Sequence, residues 1–182
     1  MFIQTEATPN PLTLKFIPGI AVMASGTAFF TNEKDAKISP LADTLFRTPG
    51  VTAIFLGADF ITVTRGIDDT WDMMKPQLLT AIMDHFVAGK PVMLDAVVAQ
   101  ASSENDSDVV KQIKELIETR VRPAVAQDGG DIIFRGFQDG IVQLELHGSC
   151  SGCPSSTVTL KNGIETMLKH YVPEVVAVEA VM

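Results

Sequence analysis

Cysteine is nearly absent from this chain. Two in 182 residues are too few for the disulfide framework of a small secreted scaffold. Long apolar runs are missing as well: none approaches the ~18 residues that a membrane-spanning helix requires, so no membrane span is expected, and the acidic balance makes an anionic membrane an unexpected partner too. Positive charge is in short supply, with 14 Lys and Arg against 22 Asp and Glu and a net charge of −8. Residues 1–100 carry 7 basic and 10 acidic groups, and residues 101–182 carry 7 and 12. No basic stripe offsets this surplus, which excludes nucleic acid as an expected partner. Gly129-Gly130 is followed by neither a GK[ST] nor a GxGxxG pattern, so it reads as a tight turn and not as a phosphate loop. No internal repeat is visible. What the chain does have is 46% hydrophobic residues, enough to bury a core and to exclude a largely disordered polymer.

The clearest seam is the small, polar stretch Gln100-Ala101-Ser102-Ser103-Glu104-Asn105-Asp106-Ser107, which reads as a flexible linker between two apolar-periodic regions. The expected organisation is an N-terminal domain over 1–95, a linker over 96–106 and a C-terminal domain over 107–182. In the first region Leu12–Ile17 alternates and stops at Pro18-Gly19, giving a strand and turn. A second extended stretch ends near Phe29-Phe30. Ser39-Pro40 opens a short helix that Pro49-Gly50 closes. Val51–Leu56 and Phe60–Thr64 flank Gly57-Ala58-Asp59 as a hairpin. Trp71, Met74, Leu78, Ile82 and Phe86 recur at helical spacing, which predicts an amphipathic helix over 70–88.

In the second region Asp106 or Ser107 can cap a helix whose apolar face is Val109, Ile113, Leu116, Ile117 and Val121. Pro123 should kink or end it. Asp128-Gly129-Gly130-Asp131 turns into a strand at Ile132–Phe137, and Asp139-Gly140 is a hairpin signal. The following strand places Val142, Leu144 and Leu146 on one face and Gln143, Glu145 and His147 on the other. A helix with Leu160, Ile164, Met167, Leu168 and Tyr171 on its buried side follows, then a strand over Val175–Val181. The expected fold class is therefore α+β: two small α+β domains, the second in α-β-β-α-β order.

The two cysteines stand three positions apart, as Cys150-Ser151-Gly152-Cys153, in the loop between a strand and a helix. Pro154 suits the first helical position, which puts Cys153 at or beside the N-cap, where free N–H groups and the helix dipole favour a thiolate. Gly148 and Gly152 let the backbone turn tightly, and Ser155 and Ser156 add hydroxyls. Such a loop is suited to holding two anionic sulfurs near solvent. Three uses are open to the pair: binding metal, exchanging disulfides, or packing as small hydrophobes. Mononuclear zinc needs four ligands. His147 is a candidate third, but it reads better as a satisfied or solvent-facing residue of the polar strand face. A thioredoxin-type dithiol needs a βαβ setting that the local order, a hairpin and then a helix, does not supply. Iron–sulfur clusters take four cysteines, and a symmetric homodimer with one CxxC per chain supplies that number.

Several residues together carry a resemblance. In the second half they are Arg122-Pro123, Asp128-Gly129-Gly130-Asp131-Ile132, Leu146, Gly148, Cys150, Cys153, Pro154 and Pro173-Glu174-Val175. That half resembles the C-terminal domain of the NifU-like (Nfu) family of iron–sulfur cluster scaffold and carrier proteins. In the first half Thr8-Pro9-Asn10-Pro11, Leu14–Gly19, Ser39-Pro40-Leu41-Ala42 and Gly57–Val63 resemble the N-terminal domain that accompanies it in mitochondrial and related bacterial members. The resemblance implies that Cys150 and Cys153 ligate an iron–sulfur cluster, a 4Fe–4S unit shared by two chains, with 2Fe–2S as the alternative cargo. It implies a non-enzymatic scaffold or carrier whose partners are cluster donors and recipient apo-proteins, and which is a homodimer when loaded. It also implies that His147 is not a ligand and that the N-terminal domain serves recognition. A dithiol–disulfide oxidoreductase using the same pair, and an adaptor whose loop is ordered by zinc, are the competing functions.

The remaining polar residues have plainer readings. Asp128 and Asp131 fit turn capping better than acid–base chemistry. His85 and His170 sit near helix ends, where they interact with the dipole. Met73, Met74, Met83 and Met167 are core or interface filler, and Phe29-Phe30 is core. The N-terminal stretch from Met1 shows no signal peptide, and any organelle transit peptide is absent or removed. The expected location is a bacterial cytoplasm, with the mitochondrial matrix for a processed organelle form.

Overall fold

A computed structural model describes residues 1–94, 106–151 and 154–181, with only the backbone for 154–156. The chain divides into two compact units, Met1–Ala99 and Gln100–Met182. Each is a sheet with helices packed against it, so the fold class is α+β. The linker expected over 96–106 lies outside the described residues except for Asp106, whose carboxylate pairs with Lys114.

The first unit holds β1 (Gln4–Ala7), β2 (Thr13–Ile17), β3 (Ala28–Phe30), α1 (Glu33–Ala36), α2 (Pro40–Phe46), β4 (Val51–Leu56), β5 (Ile61–Arg65) and α3 (Trp71–Val87). The strands form one antiparallel sheet in the order β1-β2-β5-β4-β3. Period-two alternation sends Phe16, Ile54, Leu56, Ile61 and Val63 into the core, where they meet Leu41 and Leu45 of α2 and Met74, Leu78 and Ile82 of α3. Full burial of one such aliphatic side chain contributes roughly 1.5–3 kcal/mol. Ser39 caps α2 by accepting from Ala42 N–H at 3.1 Å, and its hydroxyl donates to the Val92 carbonyl at 2.6 Å.

Two expectations change here. His85 is buried and takes the next helical position on the Leu78–Ile82 face, while Phe86 is only half-buried. Burial, with Lys90 adding, pushes the His85 imidazole below its ordinary pKa, so it is a neutral core residue and not a cation on the dipole. Phe30 is core, but Phe29 lies on the opposite sheet face against Phe55, ring centroids 6.4 Å apart. Met74 is buried, whereas Met73 and Met83 are exposed.

The second unit runs α4 (Asp108–Leu116), a π-helical segment (Ile117–Val121), α5 (Arg122–Gln127), β6 (Gly130–Gln138), β7 (Ile141–Gly148), α6 (Pro154–Tyr171) and β8 (Ala177–Val181). Of the two candidate caps it is Ser107 that accepts from Val110 N–H, at 3.3 Å. Pro123 does not stop the helix. The turn before it widens so that Arg122 N–H reaches the Ile117 carbonyl five residues back, and the proline, which has no N–H, stands in the first turn of α5. β6 and β7 pair antiparallel across Asp139-Gly140, whose φ values of 52° and 80° match the left-handed pair of a type I′ hairpin. β8 pairs parallel to β7, so the sheet order is β6-β7-β8 and α6 is the crossover. Ile113, Ile117, Val121, Ile132, Val142, Leu144, Ile164 and Leu168 form the core. Tyr171 is exposed, with Arg120 over its ring at 4.9 Å. The buried position passes to Val172 just beyond the helix.

Candidate functional site

β6 and β7 bring two loops to one end of the sheet. Their register sets Gly130 opposite Gly148 and Asp131 opposite His147, so the Asp128–Asp131 turn lies against the segment that continues into Cys150. Cys150 is a free, buried cysteine. A Cβ added to Gly130 would stand 2.7 Å from Cys150 Sγ, 2.8 Å from the His147 carbonyl oxygen and 3.3 Å from Cys150 N. Only a residue without a side chain leaves room for that sulfur. Gly130→Ala is expected to lower the stability of this unit by about 1–3 kcal/mol through overpacking, measured as a shift in the urea midpoint.

The backbone around the sulfur is tied down. Ser149 N–H donates to the Gly129 carbonyl at 3.2 Å and Ser151 N–H to Gly148 at 3.1 Å. The Ser149 hydroxyl donates to the Asp128 carbonyl, and Thr157 of α6 donates to the Cys150 carbonyl at 3.2 Å. The turn on the other side is anchored by a bidentate pair: Arg122 Nε and Nη2 meet Asp131 Oδ1 and Oδ2 at 2.8 and 2.7 Å. Arg122 Nη1 also reaches Glu118 Oε2 at 2.7 Å. The Asp131 side chain is only 5% exposed, and its Oδ1 also accepts from Ile132 N–H at 2.8 Å. These partners hold the Arg122 guanidinium far above its ordinary pKa. The reading of Asp131 as a turn residue thus holds in part, since it also anchors a half-buried ion pair.

His147 is buried, and its Nε2 stands 2.7 Å from Glu145 Oε1. Glu145 in turn binds Arg135 at 2.5 Å, and Arg135 first, then His147, hold the Glu145 carboxyl below its ordinary range. His147 is therefore held by a carboxylate through Nε2 and is not solvent-facing. Among the described residues no group of three or more His, Cys, Asp or Glu side chains is arranged to hold a metal ion.

Two expectations about the cysteines are corrected. The local order of a hairpin and then a helix suggests no βαβ setting, yet the loop after β7 opens the crossover helix of a β7–α6–β8 unit. The loop suggests an anionic sulfur near solvent at Cys150, yet burial pushes its thiol up to about 11, the Ser149 hydroxyl opposing and Asp128 and Asp131 adding to the rise. The metal-free residue is a thiol, and a metal ligand there must lose its proton on binding. Because the folded pKa lies above the unfolded value, this group's contribution to stability is complete below about pH 8.5 and is lost as pH rises toward 11. In a Cys153→Ser chain, the ultraviolet thiolate band should appear near pH 11 and move to about pH 8.5 on unfolding in urea. Cys153 and its N-cap position lie outside the described residues.

A paired-cysteine loop on a small α+β unit, preceded by a second α+β unit, defines a class of two-domain thiol proteins, and the comparisons with known proteins narrow it. The family model described as scaffold protein Nfu/NifU N terminal matches residues 3–89, and the NifU-like domain model matches residues 113–179. NifU-like protein 4, mitochondrial, of Arabidopsis thaliana is 53% identical over 98% of this chain and 65% of its own length. The Homo sapiens protein named NFU1 iron-sulfur cluster scaffold homolog, mitochondrial, is 53% identical over 100% of this chain and 72% of its own length. The chain thus spans about two thirds of these relatives. A solution structure of a NifU-like protein from Saccharomyces cerevisiae aligns with 51% of this chain and 84% of that one, at 28% identity and a TM-score of 0.47. The chain belongs to the Nfu family of NifU-like proteins.

Proposed function

We propose that this protein is an iron–sulfur cluster scaffold and carrier whose cargo is held by Cys150 and Cys153 of two chains. The observation that carries this reading is Cys150 itself. It is a free thiol in the loop that opens α6, seated in a notch that only glycine leaves open, in a chain 53% identical to a relative named as an iron–sulfur cluster scaffold homolog. Two thiolates per chain are half of what a cubane needs, so the loaded form is a homodimer around a 4Fe–4S cluster, with 2Fe–2S as the alternative. Partners are cluster donors and recipient apo-proteins. In transfer, a recipient cysteine thiolate forms a new Fe–S bond and the bond to Cys150 or Cys153 breaks. The released thiolate takes up a proton, and no electron changes hands.

The disulfide-exchange alternative gains the βαβ setting but loses the depressed thiol pKa that it needs at Cys150. The relatives carry mitochondrial names, which favours the organelle matrix; the bacterial cytoplasm finds no support among them. The two units are taken as separate domains joined over 96–106.

Anaerobic reconstitution of the full chain with ferrous iron and sulfide tests the reading. The expected result is a coloured species of dimer size holding about half a 4Fe–4S cluster per chain. A colourless monomer without iron would overturn it.

A further inference from the structure

We propose that Ser149 is a positioning residue for Cys150, a role that rests on Cys150 being a cluster ligand. Ser149 is 1% exposed and ties the cysteine loop to a turn 21 residues earlier in the chain. Its hydroxyl donates to the Asp128 carbonyl, and its backbone N–H donates to the neighbouring Gly129 carbonyl at 3.2 Å. The next residue of that turn is Gly130, against whose open Cα face the Cys150 sulfur is packed. The two straps therefore end on the two residues immediately before the sulfur's seat, and they start on the residue immediately before the sulfur.

The seat is also held from behind. Arg122 fixes Asp131, the residue after Gly130, through two hydrogen bonds, so the turn is a rigid abutment and not a loop that follows the cysteine. Thr157 holds the Cys150 carbonyl from α6. The Ser149 side chain is a strap that can be cut without changing a residue of the turn, the helix or the ligand, and its loss also removes the hydroxyl's 4.0 Å contact with Cys150 Sγ. Without its hydroxyl the Asp128 carbonyl can turn to solvent, because Asp128 is exposed, while Cys150 keeps its neighbours' backbone ties and the Thr157 hydrogen bond to its carbonyl and its sulfur moves off Gly130. A serine that merely satisfies a buried carbonyl would change stability alone; a positioning serine changes what the sulfur does within the folded protein.

Ser149→Ala separates these roles in the full chain. In the metal-free protein with Cys153→Ser, alkylation of Cys150 by iodoacetamide under folded conditions should rise about tenfold, the scale of one hydrogen bond's constraint. In the loaded protein with both cysteines present, cluster loss to a chelator should accelerate by a similar factor, and the visible circular dichroism of the cluster should change. Unchanged alkylation and an unchanged dichroism spectrum, with only the urea midpoint lowered, would overturn the proposal. If Ser149→Ala does not fold, Ser149→Thr keeps the hydroxyl and gives the converse test: it should preserve slow alkylation, and fast alkylation in the folded threonine variant would overturn the proposal. Failure of the wild-type chain to bind iron would sink the cluster reading but leave the alkylation result standing, so the two failures are distinguishable.

Discussion

Asp131→Asn is expected to destabilise the second unit by about 3 kcal/mol, at the low end of the ~3–5 kcal/mol for breaking a buried ion pair. The aspartate side chain is 5% exposed and accepts both arms of Arg122 and the Ile132 N–H. Asparagine keeps the shape but removes the charge, and its amide places a donor against one arm of the guanidinium. The cost stays at the low end because Arg122 is 32% exposed and retains Glu118. For a unit of this size, 3 kcal/mol corresponds to a fall in melting temperature of roughly 12–24 °C, readable by calorimetry on the full chain. Asp43→Asn supplies the contrast. Asp43 pairs with Arg47 one helical turn away at 2.8 Å, but the arginine side chain is 77% exposed, and such pairs contribute about 0.3–0.5 kcal/mol. Similar effects of the two substitutions would show that the Arg122–Asp131 pair does not anchor the turn.

The elements that could be read from the sequence are those whose signal is local. The spacing of Met74, Leu78 and Ile82, the Ser39-Pro40 helix start and the Asp139-Gly140 turn all depend on residues within a few positions of one another. β1 was not anticipated, because Gln4–Ala7 is a strand through its pairing with β2 and not through any alternation of its own. α1 is a single turn over Glu33–Ala36, capped by Asn32, and presents only Ala36 to the core; four residues leave no period to detect. His85 differs from its expected role because a neutral imidazole in an apolar face looks, in sequence, like a polar residue at a helix end. Pro123, expected to kink or end its helix, does not end it: the helix absorbs the proline after a wider turn, with Ile117, Val121 and Val125 all packed into the core.

The same distinction applies to the site. The three-residue spacing of Cys150 and Cys153 was visible at once, and so were Arg122 and the Asp128–Asp131 motif as separate landmarks. Their connection was not visible. Arg122 and Asp131 are nine positions apart across a helix end and a turn, and Ser149 meets Asp128 only because β6 and β7 pair in the register that sets Gly130 against Gly148. The raised pKa of Cys150 follows from that three-dimensional seat, which no local spacing reveals; the helix-start argument for a thiolate concerns Cys153, outside the described residues. A sequence clue did exist: a second glycine in the turn, with no need for a phosphate loop, marks a place where something approaches the backbone closely.

Cys150→Ser and Cys153→Ser should each abolish cluster retention, a larger effect on function than any substitution around them. A serine hydroxyl remains protonated at neutral pH and is a poor ligand for iron beside sulfide. One substitution per chain removes two ligands from the pair of chains at once, leaving two where a cubane takes four. Bound iron after reconstitution and desalting should fall to the background of a chain lacking both cysteines, and the loaded chain should run as a monomer. The Cys150→Ser chain should still unfold cooperatively, within about 1–3 kcal/mol of the parent, the cost of placing a hydroxyl at the 6% exposed seat beside Gly130. Its core is built on the apolar side chains of Ile113, Ile132, Leu144, Ile164 and Leu168. Retention of a dimer-sized, coloured species by either variant would show that the ligands lie elsewhere. Loss of the fold along with the iron would show instead that Cys150 is a packing residue first.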